Sequence, residues 1–581
     1  MRKTKILATL GPATKDVATI KKMIKSGMDA ARVNFSHGTN ETRTELITML
    51  KKARKELNKP IPIVLDTKGP EIRIKTFETE RLYLEQGAPF TLTTRDVVGN
   101  SEMVSVTYKD LPKDLQVGSR VLIDDGLLEL KVTALTKTDV KCVLVNSGFI
   151  SARKGVNIPD VYVNLPSLTD EDIEDIKVGI KLGVDFIAAS FVRTASDILN
   201  IRKVLQDNGG GHIHIIAKIE SRDGVNNIDS ILEVTDSIMV ARGDLGVEIP
   251  PEEVPIVQKN LISSCNQVGK PVITATHMLE SMVSNPRPTR AEANDVANAI
   301  LDGSDVIMLS GETAYGQYPV ESISMMARIA IEAERSHDYS SVQHSYLKRN
   351  ITNAISVAAV TTAAELDAAC IVPITDSGFA SRMISRCRPA CPILAITAEE
   401  CVCRQLNLSW GCIPVLSEPF IGDSEVFDIA EDIAMRENLA KKGETIVSVA
   451  GVPVGIAGTT NTMKVRTVGN VLAEGEGNKR GIVKGITRVF KSQDIPEQSY
   501  FEQGDILICT QTNDCMIEYI KKAGAIVIGS WEQVDLSHAE TVAKALDIPL
   551  LAVNVRVVDF VMPGLPVTVD TDCGLLINGY R

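Results

Sequence analysis

Eight short apolar runs, each ending in polar or charged residues and each followed by helical spacing, organise the first part of the chain. They end near Thr9, Asn34, Asp66, Ser190, Glu220, Asp244, Thr276 and Ser310. Six of the seven intervals span 24 to 34 residues, the length of one βα unit, and the third spans 124. Eight parallel strands at that spacing, interrupted once, predict an α/β fold: a (β/α)8 TIM barrel with one inserted domain. An open doubly wound sheet is the competing arrangement. Without the insert about 250 residues remain, the usual size of a closed barrel.

The insert changes character. RLYLEQGAPFTLTT, EMVSVTY, SRVLIDDGLLELKVTAL and DVKCVLVNSG are short β-rich runs broken by Gly, Pro and Asp, which predict a small all-β domain over 71–159. Placed after the third strand, it would overhang the carboxyl ends of the strands as a lid. Residues 1–70 and 160–340 then form the barrel. A second α/β region covers 341–473, with CIVPIT, CPILAIT, CIPVL and ETIVSVAGV as strands. AEGEGNKRG reads as a glycine-rich linker, and 474–581 as a small β-rich terminal domain.

Charge narrows the function. The net charge of −12 disfavours a general nucleic-acid or membrane role. The opening MRKTKILATLGP has no apolar run long enough for a signal peptide or a transmembrane helix. The eleven cysteines sit mostly in apolar runs and form no CxxC pair, so a cytoplasmic chain with reduced thiols is expected.

The chemistry concentrates in IIAKIESRDGVNNIDSILEVTDSIMVARGDLGVEIP. A buried parallel strand should be apolar throughout, yet Lys218, Glu220, Arg242 and Asp244 stand at two adjacent strand ends. A structural ion cluster is the bland explanation. The chemical one is that Glu220 and Asp244 share a hard divalent cation, Mg²⁺ or Mn²⁺, since there is no Cys/His set for zinc. Lys218, Arg32 and Arg73 add positive charge, which suits a phosphate ester and the charge-rich transition state of phosphoryl transfer. Gly243 and Asp244 open a helical turn whose N–H groups could hold a carboxylate. Asn34, Ser36, Asp66 and Thr67 offer oxygen ligands suited to a monovalent cation, or form an ordinary Asx/Ser turn network. Thr375, Ser377 and Gly378 lie between a strand and a helix, where they could bind phosphate or cap the helix.

The segments ARVNFSHG, LDTKGPEIR, RKGVNIP, IIAKIES, VARGDLGVEI, TATHMLESM, RPTRAE, DVIMLSGETA and GTTNTMKV resemble the signature segments of the pyruvate kinase family, in that family's order, over about Met1–Gly469. The resemblance implies phosphoryl transfer from phosphoenolpyruvate to ADP, giving ATP and pyruvate, in an allosterically regulated homotetramer. It implies that Lys218 stabilises the transferring phosphoryl group, with Arg32 on phosphate, and that Glu220 and Asp244 bind Mg²⁺. The Gly243/Asp244 backbone and Thr276 would hold the substrate carboxylate, Thr276 lying near the carbon that is protonated. Ser310 and Glu312 would stand near a water relay. Asn34, Ser36, Asp66 and Thr67 would hold K⁺, with Glu71 in the K⁺-dependent pattern. Asn34, His37, Arg73 and Lys154 would bind nucleotide.

Some positions depart from the family. His277 stands where glutamine is common, and Tyr315 where lysine is common. Asp376 and Phe379 replace residues that are often basic in members activated by sugar bisphosphates. A monophosphate effector such as AMP or ribose 5-phosphate, or none, stays open. The tail resembles the mobile domain of phosphoenolpyruvate-utilising enzymes. It keeps Ser537, His538 and Ala539, but EQVDLSHAE lacks that motif's glycines, and no phosphorylating ATP-grasp domain accompanies it. A structural or assembly role is expected for it. A non-catalytic scaffold would not need Lys218, Glu220, Asp244 and Thr276 together. Lyases on related barrels lack the lid.

Overall fold

In this computed structural model the described residues are 1–159, 161, 163–336, 350–419, 425–452, 460–491, 500–529 and 535–579. The boundaries expected at 160 and 340–341 fall outside them, as do parts of GTTNTMKV and EQVDLSHAE. The chain forms two compact units. One comprises Met1–Ala354, Thr375–Pro389 and Ala395–Pro419; the other comprises Ile355–Ile374, Ala390–Leu394 and Phe420–Arg581.

The first unit is built on a closed parallel barrel. Its strands are β1 (Lys5–Leu10), β2 (Ala30–Asn34), β3 (Ile63–Asp66), β4 (Phe186–Ala189), β5 (His214–Ile219), β6 (Ser237–Ala241), β7 (Val272–Ala275) and β8 (Val306–Leu309). They pair in sequence order, and β8 closes on β1. The expected strand ends lie within a few residues of the observed ones.

Side chains alternate across each strand because the pleat has a period of two. Leu7, Ala30, Val64, Phe186, Ala188, Ile216, Met239, Ile273, Val306 and Met308 fill the lumen. Their neighbours, such as Ile6, Ala31, Leu65, Ile187 and Ile215, pack outward against the helices. The same alternation carried one step further along the strands gives Thr9, Arg32, Asp66, Ser190 and Lys218. The last inward layer is therefore polar, and it sits at the carboxyl ends.

The helices behind the strands are stopped and started by local chemistry. Asp16 accepts the Thr19 N–H at the start of Val17–Ser26, and Thr39, Thr169 and Thr289 form capping boxes for Asn40–Leu57, Asp170–Lys181 and Arg290–Leu301. Each such cap satisfies N–H groups that the helix cannot.

The module inserted after β3 has a six-stranded sheet, from Pro89–Thr93 to Val156–Asn157, and a small two-stranded sheet of Leu82–Leu84 with Gly148–Ile150. Phe90, Leu92, Val121, Leu130, Val132 and Val140 form its core. One helical turn, Leu111–Asp114, is the exception to its β character.

In the second unit Cys370–Pro373 pairs in parallel with Thr445–Gly451, which pairs antiparallel with Thr460–Thr467. A separate closed barrel of seven strands runs from Val471–Gly477 to Leu575–Asn578, with the helix Ser537–Leu546 beside it. The glycine-rich stretch expected to be a linker is thus largely the strand Val471–Gly477. A Cβ on Gly475 would stand 1.8 Å from the Ala552 carbonyl oxygen. Its glycine permits close backbone approach, not flexibility. Among the described residues no helix is long and apolar enough to cross a membrane.

Candidate active site

Lys218 ends the inward row of β5 and is buried. Its ammonium lies 2.6 Å from Ser190 Oγ, 3.1 Å from Asp66 Oδ1 and 2.9 Å from Glu220 Oε1. Burial alone would lower its pKa. The Asp66 and Glu220 carboxylates outweigh that and hold it above the usual lysine value. Lys218 is therefore a fixed positive charge at neutral pH.

Asp66 also pairs through Oδ2 with Arg32 Nε at 2.5 Å, and Arg32 Nη1 donates to Thr9 Oγ1 at 3.0 Å. Burial would raise the Asp66 carboxyl, but the two cations keep it below the ordinary range. Arg32, Asp66, Ser190 and Lys218 come from four strands, so only barrel closure assembles them.

Glu220 is fully buried. Its Oε2 accepts the Phe191 N–H at 2.6 Å, and its Oε1 faces the Lys218 ammonium at 2.9 Å. Burial, and then the charge of Asp244, push its carboxyl up against the pull of Lys218. Asp244 lies in the turn after β6. Surrounding protein raises its carboxyl, helped by Asp125, Asp66 and Glu71 and opposed by Lys218, although its own surface opens to the cleft.

Two interacting carboxylates that resist ionisation, with only one ammonium against them, fit a divalent cation. Among the described residues no three His, Cys, Asp or Glu groups gather at one point. A cation here would complete its shell with water and substrate oxygens, which suits Mg²⁺ better than a metal needing an all-protein cage.

The turn after β7 is strained. Thr276 and His277 have φ of 64° and 54°, and Phe191 after β4 has 55°. Positive φ is costly for β-branched and aromatic residues, about 1–3 kcal/mol each. Arg242 holds the Thr276 turn: Nη2 donates to the Thr276 carbonyl at 2.5 Å, Nε to that of Ala275 at 3.2 Å, and Nη1 pairs with Asp295 at 2.8 Å. Thr276 Oγ1 accepts the Gly243 N–H at 2.8 Å. The expected carboxylate-binding groups are thus together, with the Gly243 donor engaged by Thr276.

The expected monovalent-cation ligands lie at neighbouring strand ends, and the Asn34, Asp66 and Thr67 oxygens already have partners. Asn34 Oδ1 accepts the Ser36 N–H at 3.0 Å, an Asx turn, and both Asp66 oxygens face cations. Thr67 Oγ1 donates to the Ala188 carbonyl, and its own carbonyl accepts Ser190 Oγ. Without an ion the turn network is what stands here.

A cleft of about 510 Å³ opens between the inserted module and the barrel end. Glu71, Arg73, Asp124, Asp125 and Lys154 line it from the module, and Phe191, Arg193, Arg222 and Asp244 from the barrel. Arg73 pairs with Glu71 at 2.5 Å and Lys154 with Asp124 at 2.9 Å. His37 and Asn34 do not line this cleft, and His37 is exposed on the turn after β2.

Ser310 and Glu312 brace the site. Glu312 accepts the Leu279 N–H at 3.0 Å and the Ser310 N–H at 2.7 Å, so both oxygens serve the backbone. Tyr315 is exposed. In the loop before helix Phe379–Ser385, Thr375 is buried and Ser377 exposed, and Gly378 has φ 74° with no side-chain cap. In the second unit His538 Nδ1 lies 2.9 Å from Thr512 Oγ1 and Nε2 lies 3.2 Å from Asp514.

Sequence reasoning missed Ser190, the Phe191 N–H, Arg242 as a clamp and the acidic pair Asp124/Asp125. Ser190 had one signal, its place at a strand end. The others depend on neighbours distant in the chain.

Known proteins are similar to this chain in sequence and fold. Residues 1–323 match the family described as pyruvate kinase, barrel domain, and 353–466 its alpha/beta domain. Residues 501–574 match the mobile domain of PEP-utilising enzymes. The pyruvate kinase of Geobacillus stearothermophilus is 45% identical over 585 residues, covering 100% of this chain and 99% of that one. That of Clostridium acetobutylicum is 47% identical over 472 residues, 81% of this chain and 100% of its own. A crystal structure of a pyruvate kinase from Cryptosporidium parvum matches with a TM-score of 0.77 and 40% identity, covering 80% of this chain and 96% of that one. With a full-length match and the charged layer in place at the barrel mouth, the chain belongs to the pyruvate kinase family.

Proposed function

We propose how the residues of this chain divide the work of pyruvate kinase, the transfer of a phosphoryl group from phosphoenolpyruvate to ADP. Family membership implies a divalent metal and K⁺. Glu220 and Asp244 hold the divalent ion, Mg²⁺ or Mn²⁺, a reading supported by the upward push on both carboxyls. When bound it supplies positive charge to phosphate and enolate oxygens.

Lys218 carries the central role. Its cage of Asp66, Ser190 and Glu220 keeps it charged and aimed at the barrel mouth, so it stabilises the transferring phosphoryl group electrostatically. A lysine held above its normal pKa is a poor proton donor, which argues against general acid chemistry there. Arg32 binds phosphate beside it. The Gly243 and Asp244 N–H groups take the substrate carboxylate with Thr276, whose network lies next to the carbon that becomes protonated. Arg73 and Lys154 bind nucleotide phosphates after leaving Glu71 and Asp124, with Asn34 and His37 reached as the lid, 71–159, closes on the barrel of 1–70 and 160–340. K⁺ is held at Asn34, Ser36, Asp66 and Thr67, with Asn34 Oδ1 using the lone pair that the Ser36 N–H leaves free.

The enzyme is cytoplasmic and homotetrameric in this reading. Residues 341–473 sense an effector near Thr375, Ser377 and Gly378. Asp376 disfavours a sugar bisphosphate there and leaves AMP, ribose 5-phosphate or no effector.

A lactate-dehydrogenase-coupled assay with phosphoenolpyruvate, ADP, Mg²⁺ and K⁺ tests the reaction. Mn²⁺ titration followed by electron paramagnetic resonance tests the metal pair. Asp244→Asn and Glu220→Gln should each abolish tight binding, and unaltered Mn²⁺ affinity in both would refute the assignment.

A further inference from the structure

At the opposite end of the barrel, where β7 begins, lies a small notch of about 10 Å³, room for one water-sized particle. Lys270, Arg382 and Arg386 line it, together with Asn266, Asp305 and Ser409. Its charge balance is unusual. Asp305, its carboxylate, is already committed: Oδ1 pairs with Arg388 at 2.8 Å, and Oδ2 accepts the Val272 N–H at 2.9 Å. Asn266 Oδ1 is likewise taken by Arg388 at 2.9 Å.

The cations have no such partners. Lys270 reaches only neutral carbonyls, those of Thr235 at 2.6 Å and Leu232. Arg386 reaches the Gln267 carbonyl and the Asn353 amide oxygen, and its buried Nε–H donates to nothing. The Arg382 side chain makes no hydrogen bond or ion pair among the described residues; Asp236 attracts it and Lys270, but pairs with Arg202 at 2.7 Å and accepts the Ile215 N–H at 2.8 Å. Ser409, 2% exposed, has a buried hydroxyl without a partner. Three cations and two orphaned polar groups therefore converge, and none of the three cations makes an ion pair among the described residues. An unneutralised buried charge is costly, and an orphaned donor adds about 1–3 kcal/mol. Burial lowers the pKa of Lys270, Arg382 and Arg386; Asp236 opposes this at Lys270 and Arg382 without overcoming it, and Arg382 repels Lys270 further.

We propose that this notch is a binding site for a small inorganic anion, chloride by size, held by the Arg386 Nε–H and the Ser409 hydroxyl within the charge of Lys270 and Arg382. A water molecule would meet the donors but leave the charge surplus. A phosphate is too large for the volume. The ion would tie the helix Phe379–Ser385, which follows the Thr375–Gly378 loop, to the start of β7. The far end of β7 leads into the strained Thr276 turn.

Crystals of the full chain soaked in sodium bromide test the site directly, through bromide's anomalous scattering. Thermal unfolding in sodium chloride against sodium gluconate, at equal ionic strength, tests it in solution. Wild type should show an anomalous peak in the notch and a melting temperature about 2 °C higher in chloride. Ser409→Ala, too small a change to unfold the chain, and Arg386→Met should lose that difference. A notch without anomalous signal, or a chloride response retained in full by Ser409→Ala, overturns the proposal.

Discussion

Replacing Lys218 with methionine isolates the charge at the centre of the site. Methionine keeps most of the length and apolar stem. Asp66 retains Arg32 at 2.5 Å, and Glu220 retains the Phe191 N–H at 2.6 Å, so the barrel mouth should stay folded. What is lost is one full charge beside the reacting phosphoryl group. At about 4 Å and an effective dielectric of about 20, unit charges interact by about 4 kcal/mol. If that interaction is realised mainly in the transition state, kcat falls about 10³-fold. The substitution also removes the cation that opposes the upward shift of Glu220, so divalent binding should weaken at acidic pH and persist at alkaline pH. Turnover is read in the coupled assay and Mn²⁺ affinity by electron paramagnetic resonance on the same preparation. A kcat within tenfold of wild type, with Mn²⁺ bound normally, would refute the electrostatic role. So would a wild-type rate profile with an acidic-to-neutral limb that disappears in Lys218→Met, because a lysine held above its normal pKa cannot titrate there.

Three further outcomes follow from the same geometry. Ser190→Ala removes a 2.6 Å bond to a charged group, worth about 1.5–3 kcal/mol, but leaves two carboxylates holding the lysine. Its kcat should drop about tenfold with the Mn²⁺ affinity intact, and an unchanged kcat would show that Ser190 does not position Lys218. Glu71→Lys should lessen activation by K⁺, measured as the ratio of rates in potassium and tetramethylammonium salts; an unaltered ratio counts against a monovalent ion near Asp66. His214, partly buried at the start of β5 with Asp236, Arg382, Arg202 and His212 as charged neighbours, is lowered to about 4 by burial. It is neutral in the fold but takes a proton on unfolding below about pH 6.5. Its contribution is complete above that pH and shrinks as pH falls towards 4, by up to about 3 kcal/mol. His214→Gln should flatten the melting temperature over that window, and an identical slope in the variant would exclude the effect.

The eight barrel strands were legible because each is a short apolar run that ends in polar or charged residues. Period-two alternation then places Arg32, Asp66 and Lys218 on the inner face without further information. Ser190 was not legible as a lysine ligand, because a serine at a strand end looks like any turn residue until the neighbouring strand's register is known. The left-handed turns at Phe191 and Thr276 left no local trace: their residue types normally avoid that conformation, and tertiary contacts such as the Arg242 clamp impose it. Arg73 and Lys154 stood out as candidate nucleotide-binding residues only through the family resemblance. Their pairing with Glu71 and Asp124 required the folded module. Gly475 shows the limit most sharply, since a glycine required by close approach and a glycine in a flexible joint are the same letter.

That strand also decides where the chain can be cut. Val471–Gly477 hydrogen-bonds on both sides, to Leu550–Val553 and to Leu575–Asn578, so it is a stave of the terminal barrel. Ending a shortened protein after Gly477 would leave it with two raw edges open to self-association. Ending it before Val471 would remove the terminal module whole, so the natural seam between a core enzyme and its appended module lies ahead of the glycines.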